Sequence, residues 1–202
     1  MALFPATMES ERLRYERVHP ADVDPLEVYA VAGHHADRIE ETTEYVTWNP
    51  HETPKESAEF VERSGRQFDE GAAAQYLVRP RDGEDGAGDL AGTTGLSVDW
   101  DTQVGTLGIW LRPPFWGRGY SGERAGRLLE LAFERLDLAY VAVTHAPENE
   151  QSRRAVEKYV ERFGGRREGT VRNGGVTVDG TPYDAVRYSI SNQEWADATG
   201  RR

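Results

Sequence analysis

The chain has 202 residues, no cysteine and a formal net charge of −11, with 35 acidic residues against 24 basic ones. The lack of cysteine excludes disulfides, thiolate metal sites and a cysteine nucleophile, and no apolar run is long enough to span a membrane. Because acidic residues outnumber basic ones, we find no continuous run of basic residues that could bind the phosphates of a nucleic acid. We therefore expect no nucleic-acid partner. No signal-peptide pattern opens the sequence, and a cytoplasmic location is expected.

Lysine is nearly absent, because only Lys55 and Lys158 are lysine and the other basic residues are arginine. A large negative charge keeps a protein soluble in strong salt. This composition resembles that of proteins from salt-loving archaea, and a bacterium with a GC-rich genome is the alternative source.

The first half of the chain alternates helical and strand patterns. Apolar and polar residues alternate before Pro20, which predicts a strand, and Pro54 suits the first turn of a long amphipathic helix. The predicted elements are a strand at 12–19, a helix at 21–35, a partly helical region at 37–54, a helix at 54–71 and a strand at 73–80.

The second half begins with two strands, at 90–100 and 104–113, which meet in a hairpin at residues 99–103. A helix follows, because its apolar residues recur at helical spacing. A near-continuous apolar run at 138–146 predicts a buried strand, and Asn149 is placed to cap the next helix, which ends at Gly164 and Gly165. Two closing strands are predicted at 166–173 and 184–191.

This order of elements predicts a single α/β domain over residues 1–202 with a mixed sheet. There are no repeats and no low-complexity linkers that would separate a second domain. The ordered core is expected at about residues 10–195, with both ends of the chain loose.

A glycine-rich stretch, "WGRGYSG", joins the strand "GTLGIWL" to the following helix. The unpaired N–H groups of a helix N-terminus can converge on a phosphate, and glycine lets that phosphate approach the backbone. A tight turn that only packs the helix onto the sheet explains the glycines equally well. No lysine of a P-loop follows, and the acidic residue of a dinucleotide fingerprint is missing.

Five blocks in order carry a family resemblance: "YVTWNPHETPKESAEFV", "GIWLRPPFWGRGYSGERAGRLLELAFERL", "VAVTHAPENEQSRRAVEKY", "GGRREGTVRN" and "YDAVRYSISNQEW". Together they resemble the GCN5-related N-acetyltransferases, and more narrowly the branch that acetylates the N-termini of ribosomal proteins. The resemblance covers residues 11–195 and implies a mostly antiparallel central sheet flanked by helices, with one strand pair splayed apart for acyl-CoA.

The resemblance implies acetyl-CoA as co-substrate, and no metal. Backbone N–H groups from Gly117 to Gly122 would hold the diphosphate, Leu111 and its neighbours would pair with the pantetheine amides, and Asn149 would lie near the pantetheine. Arg118 and Arg124 could add charge, although an ordinary solvated arginine is favoured for Arg124. The predicted cofactor residues are Trp110, Leu111, Trp116, Gly117, Arg118, Gly119, Tyr120, Ser121, Gly122 and Asn149.

This sequence departs from the family pattern at two positions of the turn. Trp116 stands where Gln or Arg is usual, and Ser121 where Ala or Gly is usual. Aromatic residues do occur at the first position in this branch, and serine is small enough for the second.

Acetyl transfer to an amine requires a proton donor for the leaving thiolate and an acceptor for the amine proton. The resemblance assigns the first role to Ser152, whose alternative is an ordinary first-turn residue beside a helix cap. His145 is the candidate base, because its ordinary pKa lies near neutral, and a structural histidine is the alternative. Thr106 stands where the family often has glutamate, and the acidic residues that could replace that glutamate are Glu148, Asp179 and Asp184.

Acceptor specificity is predicted for an aromatic and polar cluster between the first two strands. The residues are Tyr45, Trp48 and His51, and a hydrophobic lid without a role in specificity is the alternative. The nearby "HHADRIEE" does not have the spacing of a metal site, and a solvated acidic face explains it.

The sequence therefore predicts an N-acetyltransferase that acts on a protein N-terminal amine. Two alternatives remain open at this stage: an acetyltransferase for small amines such as amino acids, polyamines or antibiotics, and a noncatalytic acyl-CoA-binding module. A homodimer is compatible with the resemblance, and the sequence does not set the oligomeric state.

Overall fold

The structure is a computed structural model that describes residues 3–201, built around one eight-stranded sheet. The strands are β1 (Thr7–Glu9), β2 (Leu13–Arg17), β3 (Ala73–Pro80), β4 (Gly92–Asp99), β5 (Val104–Leu111), β6 (Tyr140–His145), β7 (Arg166–Val176) and β8 (Pro182–Ser191). The helices are α1 (Pro25–Ala32), α2 (Ile39–Thr43), α3 (Pro54–Asp69), α4 (Tyr120–Glu130), α5 (Glu150–Arg162) and α6 (Asn192–Thr199). Across residues 3–201, no helix is both long and apolar enough to cross a bilayer.

The strands lie in the order β1-β2-β3-β4-β5-β6-β8-β7. Neighbours are antiparallel except β5 and β6, which run parallel because the connection between them crosses over through α4. The hairpin predicted between β4 and β5 is confirmed by the pairing of Asp99 with Val104. A mixed, mostly antiparallel sheet flanked by helices confirms the predicted fold class.

The helices begin where the sequence supplies the local chemistry. Pro54 starts α3, Asn149 caps α5 through its side chain, and Gly119 in a left-handed conformation precedes α4. After Glu130, α4 continues as one wider π-helical turn over Leu131–Arg135. The starts of the two helices beside β5 and β6 are thus fixed by glycine and asparagine.

Two clusters of buried side chains hold the helices against the sheet. The larger cluster joins α4 and α5 to the sheet through residues such as Leu107, Leu128 and Val143. The smaller one packs α1 and α3 on Leu77, with Trp48 and Trp110 partly buried against it. Side chains of β5 such as Leu107 and Trp110 therefore pack in different clusters, because successive side chains of a strand point to opposite faces of the sheet.

Both ends of the chain contain more regular structure than the loose tails expected from the sequence. Met8 of β1 is buried, and β1 pairs with β2 at the edge of the sheet. At the other end, Ser191 and Glu194 form a capping box that starts α6, and Trp195 packs against Phe133 with ring centroids 5.4 Å apart. The capping signal was present in the sequence as Ser-x-x-Glu.

Candidate active site

The parallel strands β5 and β6 separate along their length. They pair at Val104–Tyr140, Gly105–Val141 and Thr106–Ala142, and no pairing follows. On their outer sides, β5 stays paired with β4 as far as Leu111, and β6 stays paired with β8 as far as His145. The splayed strand pair implied by the resemblance is therefore present, and its inner backbone edges face a gap that an extended, amide-containing chain can enter.

The glycine turn lies where β5 leads into α4. Gly117 and Gly119 have φ of +74° and +80°, a conformation that L side chains rarely adopt. A Cβ on Gly117 would meet no atom within 4 Å, so the space in front of this residue is open. Among the described residues, the backbone N–H groups of residues 117–121 have no acceptor. They lie at the positive end of the α4 dipole and can bind an anionic group.

Trp116 fixes this turn to the end of β5. Its indole N–H donates to the Leu111 carbonyl at 2.6 Å, and the guanidinium of Arg38 lies 5.3 Å from its ring centroid. The Leu111 carbonyl is thereby occupied. Pairing with a pantetheine amide then depends on the other backbone groups of β5.

An ion pair that the sequence did not reveal supports the turn from the other side. Arg12, just before β2, binds Glu123 of α4 at 2.8 Å and also donates to the Arg118 carbonyl at 2.9 Å. Its guanidinium lies over the ring of buried Tyr120, whose hydroxyl donates to Glu84 at 2.8 Å. The side chain of Tyr120 is therefore structural, and only its backbone faces the turn. No local signal connects Arg12 to residues more than 100 positions away.

The two arginines considered for the phosphate site lie in different environments. Arg118 pairs with Asp85 at 2.8 Å, so its charge is partly balanced, and it keeps a place beside the turn. Arg124 is 1% exposed, and the prediction that it is a solvated residue is wrong. It lies on the buried side of α4, which packs against β2 and α5, and burial lowers the pKa of its guanidinium.

Asn149 and Ser152 lie at the start of α5 and line the same cleft as the glycine turn. The side-chain oxygen of Asn149 accepts the Ser152 backbone N–H at 2.8 Å, which leaves the amide group of Asn149 available as a donor. No hydrogen bond of the Ser152 hydroxyl is found among the described residues. A half-buried hydroxyl beside the gap can donate a proton or a hydrogen bond to a bound group.

His145 ends β6 and is 5% exposed. Its Nδ1 lies 2.8 Å from the Ala146 carbonyl, which can only accept, so Nδ1 carries a hydrogen and, in the neutral ring, Nε2 is the acceptor. Nε2 is buried and has no partner in the described part of the chain, while the ring stacks on Tyr188 with centroids 5.7 Å apart. His145 lines the cleft, while its Nε2 is shielded from solvent.

The other candidates for a base lie elsewhere or make other bonds. Asp179 binds Thr177 and the Thr181 N–H in the turn between β7 and β8, and these bonds lower its pKa. Asp184 accepts the Asn173 N–H at 3.0 Å in the same hairpin. Glu148 is exposed and lines the cleft near α5.

Two of the three residues predicted to contact the acceptor come together on the other side of β5. The ring of Trp48 lies 5.8 Å from that of His51 and 5.3 Å from that of Trp110. His51 Nδ1 lies 2.7 Å from the Oγ of buried Ser57, and burial lowers the pKa of the imidazole. Trp110, predicted for the cofactor, has its side chain in this aromatic group.

Tyr45 stands apart from that group, at the exposed rim of the cleft. Glu44 and, more weakly, Glu148 raise the pKa of its phenol, so both carboxylates lie close to it. The rim of the cleft on this side is therefore acidic.

One edge of α5 is basic, a feature that the sequence did not predict. Arg154 and Lys158, one turn apart, line the cleft and are exposed, with no ion pair found in residues 3–201. The available signal was Lys158 itself, one of the two lysines in the chain. These side chains add positive charge to the side of the cleft that carries the glycine turn.

The glycine turn, the inner edges of β5 and β6, the start of α5 and the aromatic group line one continuous cleft of about 2250 Å³. It extends from Trp48 and His51, past the gap between β5 and β6, to the glycine turn and α5. Within residues 3–201, no group of three or more His, Cys, Asp or Glu residues is placed to hold a metal ion.

Comparison with known proteins agrees with this architecture. The family model of the acetyltransferase (GNAT) domain matches residues 12–159. The Bacillus subtilis protein named "Putative ribosomal N-acetyltransferase YdaF" is 35% identical over 109 residues, which are 54% of this chain and 57% of that protein. The chain thus aligns with little more than half the length of this relative.

Solved structures extend the likeness over nearly the whole fold. The ribosomal-protein-S5-alanine acetyltransferase from Vibrio fischeri superposes with a TM-score of 0.72 at 16% identity, over 95% of this chain and 99% of that one. The microcin C7 self-immunity acetyltransferase MccE, in complex with acetyl-CoA and AMP, superposes with a TM-score of 0.77 at 16% identity, over 94% and 98% of the chains.

The chain belongs to the GNAT acetyltransferase family. The matching family model is that of an acetyltransferase domain, so the reaction class of the family is acetyl transfer.

Proposed function

We propose that this enzyme acetylates the α-amine of protein N-termini, with ribosomal proteins as the target class. The extent of the cleft, about 2250 Å³ in all, carries the proposal, because its lining continues beyond the cofactor side to Tyr45, Trp48 and His51. A groove of this size has room for a peptide end beside the acyl donor. The name of the Bacillus subtilis relative points to the same class of acceptor.

Charge on the acceptor side supports a cationic substrate. Glu44 and Glu148 lie beside Tyr45 at the rim, and the whole chain carries a net charge of −11. Such a rim attracts a protonated N-terminus and the basic segments that follow it, although salt screens the attraction. Trp48 and His51 then provide an apolar and polar surface for the first side chain of the peptide.

The cofactor side fits acetyl-CoA residue by residue. The free N–H groups at 117–121 suit the diphosphate, Arg154 and Lys158 add countercharge, and the inner edges of β5 and β6 suit the pantetheine amides. The bound co-substrate supplies the thioester carbonyl that the amine attacks. These residues would hold the acyl end of the co-substrate beside the gap between β5 and β6.

The chemistry then requires two proton movements that the chain can serve. The Ser152 hydroxyl donates toward the leaving thiolate, and His145, which lines the cleft at the end of β6, is the candidate base for the amine proton. An α-amine has a pKa of about 7.7–8.0 against about 10.4 for a lysine side chain, so more of it is neutral at pH 7. A site without a carboxylate base therefore suits N-terminal amines better than lysines.

The test is the release of CoA from acetyl-CoA in molar salt, with N-terminal peptides, polyamines and free amino acids as acceptors. We expect turnover with peptides, and mass spectrometry should locate the acetyl group on the α-amine. Peptides blocked at the α-amine but containing lysine are the matched control and should be inert. Turnover only with polyamines or amino acids would contradict the proposed acceptor.

A further inference from the structure

Three residues in register form a row across β3, β4 and β5. Gln75 pairs with Gly95, and Gly95 pairs with Gly108. The neighbouring row contains Leu77 and Trp110, two positions further along their strands, and both pack in the cluster of α1 and α3. Because residues two apart in a strand share a face, Gln75 and both glycines lie on that same face, the acceptor side of the sheet.

The carboxamide of Gln75 occupies the place that a side chain at position 95 would take. A Cβ on Gly95 would overlap Nε2 of Gln75 and come within 2.6 Å of its Oε1. Glycine at position 95 therefore allows the carboxamide to lie over the middle of the sheet. The next place in the row is open, because a Cβ on Gly108 would meet no atom within 4 Å.

The hydrogen-bonding groups of Gln75 are not used by the protein. No hydrogen bond of its carboxamide is found among the described residues, although the side chain is half-buried and lines the cleft. A carboxamide offers two N–H donors and one carbonyl acceptor. In a partly closed cleft such groups need a partner, either water or a ligand, so Gln75 is available to bind a polar group of the acceptor.

Uncharged polar side chains line this side of the cleft. Ser64 and Gln67 line it from α3, one helical turn apart, and Thr93 lines it from β4. Arg63 also lines the cleft, but it is exposed on the surface of α3. A lining of hydroxyls and carboxamides suits a neutral polar group, and it leaves the second ammonium of a polyamine without a countercharge. A peptide bond is a neutral group that both donates and accepts.

The row ends at the gap between β5 and β6. Pairing of those strands ends at Thr106, two residues before Gly108. Neighbouring strands lie about 4.8 Å apart, so the carboxamide over β4 is roughly 7 Å from the middle of the gap. In a peptide, the carbonyl oxygen of the first residue lies about 3 Å from the α-amine, and a hydrogen bond spans about 3 Å. An α-amine in the gap therefore has its first peptide bond within reach of Gln75.

We propose that Gln75 is an acceptor-binding residue that hydrogen-bonds the first peptide bond of the substrate, an inference that rests on the proposed function. Its carboxamide accepts from the peptide N–H or donates to the peptide carbonyl, and either bond holds the α-amine beside the gap. Gly95 leaves the required space over the sheet. The enzyme thereby favours N-terminal segments over amines that lack a peptide bond.

Steady-state kinetics of the full chain compare a peptide with its depsipeptide, in which an ester replaces the first peptide bond and the α-amine is kept. The ester lacks the N–H and has a weaker carbonyl acceptor. We expect wild-type kcat/KM to be roughly tenfold higher for the peptide, and Gln75→Met to lose this preference by raising KM for the peptide. Gln193→Met changes an exposed glutamine bonded to Asp197 in α6, and this matched control should keep the preference.

Gly95→Ala tests the same contact without changing the carboxamide and without depending on the folding of Gln75→Met. The added methyl group displaces the flexible end of Gln75, so the preference for the peptide should fall as in Gln75→Met. Tm should not fall, because alanine is more favourable than glycine in a strand. The double variant should lose no more than either single one, because both substitutions remove the same contact.

The outcomes separate the role of Gln75 from the proposed function. Peptide turnover with the same preference in the wild type and in Gln75→Met or Gly95→Ala would overturn the role of Gln75 and leave the proposed function in place. Equal losses for peptide and depsipeptide in Gln75→Met would indicate a structural effect and overturn that role as well. Absence of turnover with any peptide in the wild type would contradict the proposed function itself, and the role of Gln75 would then be wrong too.

Discussion

The side-chain oxygen of Asn149 accepts the backbone N–H of Ser152 at 2.8 Å, and this bond caps α5 at the edge of the gap between β5 and β6. Asn149 thus caps the helix with its oxygen and, as a residue that lines the cleft, keeps its amide group as a donor. The neighbouring serine is held by its backbone, which leaves its hydroxyl free for chemistry. Stability and activity at this point can therefore be separated by mutation.

Asn149→Asp should retain the cap and weaken the binding of acetyl-CoA. Aspartate caps helices as well as asparagine does, so the unfolding free energy should stay within about 0.5 kcal/mol of the wild type. The lost amide donor should raise KM for acetyl-CoA roughly tenfold, the equivalent of one hydrogen bond to a charged or polar partner. Asn149→Ala should lose about 1 kcal/mol of stability in addition. An unchanged KM in both variants would restrict Asn149 to the cap.

Ser152→Ala should lower kcat and leave stability unchanged. The hydroxyl takes no part in the cap, and a positioned proton donor contributes about 10²–10⁴-fold to rate. We expect a fall in kcat of about 10²-fold, with Tm equal to that of the wild type, measured by CoA release and thermal unfolding. Equal kcat in the variant would remove Ser152 from the mechanism.

Gly117→Ala should weaken the binding of acetyl-CoA more than its effect on stability explains. The φ of +74° makes any side chain cost about 1–2 kcal/mol, and the added methyl group enters the open space in front of the turn. We expect KM for acetyl-CoA to rise roughly tenfold or more, as expected for the loss of one charge-assisted hydrogen bond.

Gly180→Ala is the matched control for that variant. Gly180 has φ of +86° with nothing within 4 Å, in the turn between β7 and β8. The Gly180→Ala variant should be destabilised to a similar extent, and its KM for acetyl-CoA should be unchanged. If both variants changed KM equally, the turn at Gly117 would have no specific part in binding.

His51 should make the stability of the enzyme depend on pH in mild acid. Burial lowers the pKa of its imidazole below the ordinary value of 6.5, so the unfolded chain binds the proton more tightly than the folded chain. The stability that the neutral, buried His51 contributes is fully present above pH 6.5. It is lost as the pH falls from 6.5 toward the lower pKa of the folded chain. The unfolding free energy of His51→Gln should therefore fall less than that of the wild type over this range, as measured by urea titration. Parallel pH profiles would contradict the prediction.

Much of this site was predictable because its chemistry is local. The positive φ at Gly117 and Gly119 follows from glycine in a short turn, and the cap of α5 follows from Asn149 at a helix start. The order of strand and helix patterns predicted an α/β domain with a mixed sheet, and the family resemblance implied that the sheet is mostly antiparallel with one splayed pair. The capping box of α6 is equally local, because Ser191 and Glu194 lie three residues apart in the sequence.

Contacts between distant segments were decided by the tertiary structure. Side chains alternate along β5, so the place of Trp110 depends on which helices cover each face, and its ring meets Trp48 from the segment before α3. Arg12 supports the glycine turn across more than 100 residues of sequence.

The clearest division is between the turn and the helix that follows it. The sequence indicated the turn, because positive φ at Gly117 and Gly119 and unpaired N–H groups at a helix start depend mainly on neighbouring residues. Only the tertiary structure decided that Arg124, a residue type usually solvated, is buried, because β2 and α5 cover that side of α4. The gap between β5 and β6 also depends on the tertiary structure. It is set by the register and direction of two strands that are joined through the α4 crossover and are therefore distant in the sequence.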